Sequence, residues 1–171
     1  MALVLVGGGS RSGKSTYALT LARALTAPRA FVATAQPYDD EMRERIAHHQ
    51  LERANEFATI EEPFDLAAVI KRLEATHPVI IIDCLTLWLT NLLLQQEASL
   101  NVHTTAFLQA ASVSNATVIA VTNEVGCGIV PDNALSRKFR DLQGRLNQET
   151  ARAAREVYWM VFGCAMKVKQ P

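Results

Sequence analysis

The sequence predicts an α/β fold: one mainly parallel open sheet flanked by helices, with a C-terminal antiparallel hairpin. Three observations carry this. Short apolar runs alternate with helix-like stretches along the chain, the mark of a sheet built by crossovers. The central runs, above all Val79-Ile80-Ile81-Ile82-Asp83, are continuous rather than alternating, as in strands covered on both faces. The last two runs flank Phe162-Gly163-Cys164, which leaves room only for a tight turn.

In chain order the expected strands are residues 2–6, 30–34, 58–60, 79–83, 117–122, 157–162 and 165–169. The first is apolar and short, with no basic segment before it, so it reads as a strand and not a signal peptide. Residues 79–94 are long and apolar but are broken by Asp83, Thr86, Thr90 and Asn91, so a strand and a buried helix fit better than a membrane span. Leu85, Trp88, Leu89, Leu92 and Leu93 of that helix are expected in the core or partly at a subunit contact. With 171 residues and no repeat or linker, residues 1–171 make one domain. An apolar share of 49% is enough for a buried sheet and too high for a disordered chain. Zero net charge argues against a partner held by phosphate neutralisation, so no nucleic acid is expected. Three cysteines, an odd count without C-x-x-C spacing, point to reduced, mostly buried thiols. A cytoplasmic protein is expected.

In an open α/β sheet the ligand crevice lies at the carboxyl ends of the strands. After the first strand comes Gly8-Gly9-Ser10-Arg11-Ser12-Gly13-Lys14-Ser15, which fits the phosphate-binding pattern G-x-x-x-x-G-K-[ST]. Its glycines let backbone N–H groups converge on phosphate oxygens. Lys14 suits the β- and γ-phosphates, and Ser15 offers a hydroxyl to Mg²⁺. A helix expected from Lys14 to Leu25 aims its positive end at the same anion. The fourth strand ends in Asp83, a second candidate ligand for Mg²⁺ once placed beside that loop. Alone, such an aspartate is as often a helix N-cap.

Residues 39–53, DDEMRERIAHHQLER, predict a helix with acidic residues in its first turn. Met42, Ile46, His49 and Arg53 share one face, and Arg45 lies one turn before His49. His48 points about 100° away, toward Glu41, Glu44 and Glu52. Flanking guanidinium groups disfavour protonation of His49 and so favour a nucleophilic imidazole. The same pattern also fits an ordinary histidine on an amphipathic helix. His77, before Pro78, and His103, in a polar loop, are expected to be structural. Asn123 and Glu124, in the glycine-rich stretch from Thr122 to Pro131, suit either ligand contact or turn formation. Arg137, Lys138, Arg140, Arg145, Arg152 and Arg155 give the following helix a basic face, expected to be solvated, opposite a buried face of Leu135, Phe139, Leu142 and Leu146.

Taken together, GGxRSGKS, AT-x-Q with DDEM-x-x-RI-x-x-H, DCLTLW-x-TN, TNEVG-x-GIVP and R-x-F-R-D-x-x-G-x-x-N-Q resemble the bifunctional adenosylcobinamide kinase/adenosylcobinamide-phosphate guanylyltransferase family of cobalamin synthesis. The resemblance runs from the first strand to the hairpin. It implies a P-loop, RecA-like fold and GTP- or ATP-dependent phosphorylation of adenosylcobinamide. It also implies transfer of GMP from GTP to adenosylcobinamide phosphate through a histidine-bound GMP, yielding adenosyl-GDP-cobinamide and pyrophosphate. It assigns that histidine to His49, because the family's glutamate and Walker-B-like acid then fall on Glu61 and Asp83; counted from His48 the first would fall on Ile60. It implies nucleotide contacts at Thr34, Ala35, Gln36, Gln50, Leu51, Glu52, Arg53, Glu61 and Asp83, and a homotrimer whose neighbouring subunits help build the site. Ala54 and Phe57 depart from the Pro and Trp that many members carry. Another P-loop small-metabolite kinase would explain the loop and Asp83 but has no use for His49. A non-catalytic nucleotide switch is disfavoured by the absence of N-K-x-D.

Overall fold

The computed structural model describes residues 2–36 and 56–170. Residues 39–53, the expected histidine helix, lie outside them, and with it His48, His49, Gln50, Leu51, Glu52 and Arg53.

The described residues form β1 (Leu3–Gly8), α1 (Lys14–Arg23), β2 (Arg29–Ala33), β3 (Ala58–Glu61), α2 (Leu66–Leu73), β4 (Val79–Asp83), α3 (Leu85–Gln95), a 3₁₀ turn (Glu97–Ser99), α4 (Leu100–Val113), β5 (Thr117–Val121), α5 (Ala134–Ala153), β6 (Glu156–Val161) and β7 (Cys164–Lys169). All seven expected strands are present, with ends shifted by at most two residues. They make one sheet in the order β3-β2-β4-β5-β1-β6-β7. Every pairing is parallel except β6 with β7.

Strand alternation divides the core into two layers. Leu3, Leu5, Ala30, Val32, Ile80, Ile82, Val118 and Ala120 meet α2, α3, α4 and α5. Val4, Val6, Phe31, Val79, Ile81, Ile119 and Val121 lie on the other face, where Ala18, Leu19 and Ala22 of α1 cover them. Phe57 is buried in this second layer, so its aromatic ring serves packing. Leu85, Trp88, Leu89, Leu92 and Leu93 are all core residues. Trp88 is wholly buried, donates its Nε1–H to the Phe64 carbonyl at 2.7 Å and meets Phe107 edge-on at 5.3 Å. Among the described residues no helix is long and apolar enough to cross a membrane.

Three sequence expectations need correction. His103 sits inside α4, whose apolar residues Leu100, Phe107, Ala110 and Ala111 are buried: tertiary packing makes a helix of a stretch whose polar residues suggested a loop. Of the cysteines only Cys84 is buried, while Cys127 and Cys164 are exposed on a loop and on the edge strand β7. Leu135 is 52% exposed, since the buried residues of α5, Gln143, Leu146 and Thr150, lie from its middle onward; Phe139 and Leu142 are partly buried.

Candidate functional site

The crevice is built from loops at the carboxyl ends of β1, β2, β3, β4 and β5. Gly8–Ser15 joins β1 to α1, and two of its glycines are required by geometry. Gly8 has φ of 152°, and a Cβ there would sit 2.8 Å from both the Met160 carbonyl oxygen and Ser12 Oγ. Gly13, with φ of 93°, stands at the N-cap of α1, where only the absence of a Cβ makes that conformation cheap. No side chain caps α1, so its first N–H groups face the loop's interior. Lys14 is nearly buried, and its Nζ donates to the Gly9 carbonyl at 2.5 Å and to Ser12 Oγ at 3.5 Å. The ammonium is therefore held on the loop's own acceptors, in the concavity that an anion would fill. Gly9, Ser10, Arg11, Ser12 and Ser15 complete the loop; Arg11 has φ of 53°.

Register places the acidic residues. Ala33 pairs with both Glu61 and Asp83, Asp83 pairs with Val121, and Val121 pairs with Val6. These five residues form one row across the sheet, and in a parallel sheet such a row shares a face. Val6 and Val121 belong to the α1 layer, so Asp83 and Glu61 stand on the phosphate-loop side. β5 lies between β4, which carries Asp83, and β1, which leads into the loop. At a spacing of about 4.8 Å per strand, the backbones of β4 and β1 are roughly 10 Å apart. That span suits a carboxylate acting through an ion or water between it and the phosphates. Asp83 is not the N-cap of α3. Cys84 has that role, its Sγ accepting from Leu87 N–H at 3.5 Å. The Asp83 carboxylate is thus left uncommitted by the helix. Burial, and secondarily the Asp83 charge, push the Cys84 thiol up to about 11, so it stays protonated and is no nucleophile at neutral pH.

Thr34, Ala35 and Gln36 follow β2. Thr34 is wholly buried and ties β2 to β4: its hydroxyl donates to the Cys84 carbonyl and accepts from the Cys84 N–H, both at 2.8 Å. Its backbone N–H donates to the Asp83 carbonyl at 3.1 Å. Gln36 Oε1 accepts from Gln95 Nε2 at 3.2 Å. Asn123 and Glu124 follow β5, and the Glu124 N–H donates to the Gly8 carbonyl at 3.1 Å, joining the two loops. The Glu124 carboxylate turns back on its own loop, accepting from Gly126 N–H at 2.6 Å, so turn formation accounts for it. His77 makes a local contact with Thr76, Nδ1 to Oγ1 at 2.9 Å. Gly8 to Ser15, Thr34 to Gln36, Glu61, Asp83 and Asn123 thus all stand at the carboxyl ends of the parallel strands, with Glu61 four strands from β1.

The polar layer beneath the crevice went unread in the sequence. Asn91, buried on α3, donates to the Thr34 carbonyl at 2.8 Å and to the Pro63 carbonyl at 3.2 Å. Thr86 Oγ1 accepts from Asn123 N–H at 2.8 Å. Thr122 Oγ1 donates to Asn147 Oδ1 and accepts from Gln143 Nε2, and Asn147 Nδ2 donates to the Asn123 carbonyl. Gln143 is wholly buried, and its Oε1 has no hydrogen-bond partner. The one signal for this layer was polar residues interrupting apolar helix faces. Arg140 and Arg145 of α5 line an open groove of about 540 Å³ against Gly126, Gly128 and Val130, so the basic face is not uniformly convex.

Comparison with known proteins gives a consistent picture. Residues 4–168 match the family model described as cobinamide kinase / cobinamide phosphate guanyltransferase. The chain is 37% identical to the bifunctional adenosylcobalamin biosynthesis protein CobU of Escherichia coli, over 98% of this chain and 99% of that one. It is 40% identical to the bifunctional adenosylcobalamin biosynthesis protein CobP of Pseudomonas aeruginosa, over 96% of each. Among solved structures, a type III secretion system ATPase superposes with a TM-score of 0.60 at 12% identity, over 97% of this chain and 56% of that one. The flagellar accessory protein FlaH of Methanocaldococcus jannaschii does so with 0.55 at 14%, over 99% and 78%. These two likenesses concern the fold alone.

Proposed function

The chain belongs to the cobinamide kinase / cobinamide phosphate guanyltransferase family, and from that premise we infer that it phosphorylates adenosylcobinamide and then transfers GMP from GTP to the resulting phosphate. The observation that carries the reading is the row of Val6, Val121, Asp83 and Glu61 on the α1 face, level with a loop whose interior is shaped for phosphate.

The triphosphate of GTP or ATP lies along Gly8–Ser15, its oxygens receiving backbone N–H groups of the loop and of the first turn of α1. Lys14 exchanges its bonds to Gly9 and Ser12 for phosphate oxygens. The donor set fits Mg²⁺: one hydroxyl, Ser15, and one carboxylate, Asp83, that the following helix does not use as a cap. Ser15 and Asp83 would hold the ion, whose chemistry there would be neutralisation of phosphate charge. Thr34, Ala35, Gln36 and Glu61 border the nucleotide, and Gln50, Leu51, Glu52 and Arg53 join them from the segment carrying His49.

In the kinase half, the chain positions the γ-phosphate and stabilises its charge. In the transferase half, a ring nitrogen of neutral His49 attacks the α-phosphorus. The N–P bond forms as the bond to the bridging oxygen breaks and pyrophosphate leaves. A phosphate oxygen of adenosylcobinamide phosphate then attacks that phosphorus, the N–P bond breaks, and the imidazole is restored. Two displacements replace one harder one, with net retention at phosphorus. What supports His49 is the sequence pattern, which predicts a helix with Arg45 and Arg53 one turn to either side of it, and the family's spacing to Glu61 and Asp83. The assembly is a homotrimer, the domain is the single unit 1–171, and the location is cytoplasmic.

The test uses GTP labelled at the α-phosphate, followed by a denaturing gel. Acid-labile, alkali-stable label on the protein, lost in His49→Asn while triphosphate binding persists, is the expected result. Undiminished labelling or transfer in His49→Asn removes His49 from the mechanism. Rapid γ-phosphate transfer to adenosylcobinamide with no protein label leaves a kinase alone.

A further inference from the structure

Two stretches that carry the family resemblance, residues 122–131 and 137–148, lie outside the nucleotide contacts assigned above. The structure sets them against each other. Gly126, Gly128 and Val130 of the first line the open groove of about 540 Å³ together with Arg140, Asp141, Gly144, Arg145 and Gln148 of the second. A volume of that order is that of a ligand site.

Two of the glycines are not required by the fold. Gly128 and Gly144 have no positive φ, and a Cβ on either would meet nothing within 4 Å. Gly144 stands in the middle of α5, where glycine is a poor helix former. Gly126 differs, since a Cβ there would lie 2.8 Å from Glu124 Oε1. A helix that forgoes a side chain where there is room for one leaves its backbone open to close approach.

The groove is held in shape at both ends. Arg137 Nη1 donates to the Pro131 and Asp132 carbonyls at 3.0 and 2.6 Å, and Asn133 caps α5 through the Ser136 N–H at 2.8 Å. At the other end the Glu124 N–H bonds the Gly8 carbonyl. Asn147, one turn after Gly144, donates to the Asn123 carbonyl, so the groove adjoins the crevice at the end of β5. Its chemistry is mixed. The guanidinium groups donate, the Asp141 carboxylate accepts, the Gln148 amide does both, and Val130 adds an apolar edge. Asp141 lies 4.0 Å from Arg140, which makes the groove a poor seat for a compact anion. Donors, acceptors and an apolar edge together suit a ligand whose rim carries primary carboxamides and methyl groups.

We propose that this groove seats one edge of the carboxamide- and methyl-bearing corrin ring of adenosylcobinamide and of its phosphate. The reacting oxygen is at the end of the aminopropanol arm, outside the ring, so ring seat and phosphate loop are neighbouring sites bridged by that arm. This rests on the family's corrinoid being the substrate of this chain, and the experiment separates the two claims.

Binding of adenosylcobinamide, and separately of GTP with Mg²⁺, is measured by calorimetry on the full chain and on Gly144→Leu and Gln148→Ala, alongside the kinetics of phosphoryl transfer to adenosylcobinamide. Leucine favours the helix and fills the groove, so Gly144→Leu keeps or raises the melting temperature. It weakens adenosylcobinamide at least about tenfold and raises its KM, with GTP affinity within about twofold of the parent. Gln148→Ala removes amide pairing without adding volume and weakens adenosylcobinamide about three- to tenfold. Adenosylcobinamide affinity of Gly144→Leu within about twofold of the parent overturns the proposal, as does equal weakening of GTP. A changed sedimentation coefficient in Gly144→Leu assigns the groove to a contact between copies and overturns it too. Should Gly144→Leu melt below the parent, Gln148→Ala decides, and parental affinity there overturns the proposal. If the parent neither binds nor phosphorylates adenosylcobinamide, the functional reading fails and the ring seat with it. If the parent does both and Gly144→Leu matches it, only the ring seat falls.

Discussion

Replacing Thr34 by valine tests how the crevice is held. The side chain keeps nearly its shape, and the hydroxyl that joins β2 to β4 is lost. The Cys84 carbonyl retains a partner, because Trp88 N–H also donates to it at 3.1 Å. The Cys84 N–H loses its partner, Thr34 Oγ1 at 2.8 Å, at a position with no water access. Orphaning a buried donor costs about 2 kcal/mol, and the hydrogen bond to the carbonyl adds about 1. The extra buried methyl of valine offsets about 1. The net loss is roughly 2 kcal/mol, which in a domain of this size lowers the melting temperature by roughly 4–8 °C. Urea denaturation of parent, Thr34→Val and Thr34→Ser gives the comparison, with an unchanged m-value as the two-state check. Thr34→Ser keeps the hydroxyl and falls between parent and Thr34→Val. A loss in Thr34→Val below about 0.5 kcal/mol, or one no larger than that of Thr34→Ser, refutes the account of Thr34 as the tie between the strand ends.

Three further outcomes follow from the same geometry. Gly8→Ala drives a Cβ to 2.8 Å from the Met160 carbonyl and Ser12 Oγ, so calorimetry reads at least about a tenfold loss of triphosphate affinity. In native protein at pH 8 a thiol reagent titrates Cys127 and Cys164 and spares Cys84 until denaturant is added. The Tyr158 hydroxyl and Lys167 bond the Glu156 carboxylate and lower its pKa, so the stability it contributes is complete above the ordinary carboxylate range and is lost as pH falls through the lowered value. Denaturation midpoints of parent and Glu156→Gln therefore converge as the medium is made acidic.

The fold was legible because its strands carry their own signal. Val79–Asp83 is an unbroken apolar run ending in an acid, and a strand buried on both faces needs nothing else. The phosphate loop was legible for the opposite reason: Gly8 and Gly13 stand where backbone conformation excludes a Cβ. Strand order was not legible, since sequence does not say that β5 enters between β4 and β1. The supposed capping role of Asp83 went to Cys84, because a thiol can accept a backbone N–H that a Ser, Thr or Asp scan would not credit to it. His103 failed as a loop residue because Leu100 and Phe107, three and four residues away, decide that helix.

The least legible part is the polar layer under the crevice, and its arrangement explains why so many buried amides are tolerated. Thr34 and Asn91 fix the end of β2 against β4 and the loop after β3. Thr122, Asn147 and Gln143 fix the start of the loop after β5 against α5. Thr86 links the two sets, since it belongs to α3 and receives the Asn123 N–H. Each group bonds a backbone atom or neighbour at a strand's carboxyl end, where sheet pairing stops and carbonyl and N–H groups would otherwise be stranded. An apolar layer of the same volume would pack equally well and leave those ends unpaired. The amides therefore set the loops at fixed heights above the sheet, and the phosphate loop inherits that height through Glu124 N–H on the Gly8 carbonyl. A site that transfers phosphorus between partners needs that constancy, because misplacement by about 1 Å costs on the order of a hundredfold in rate.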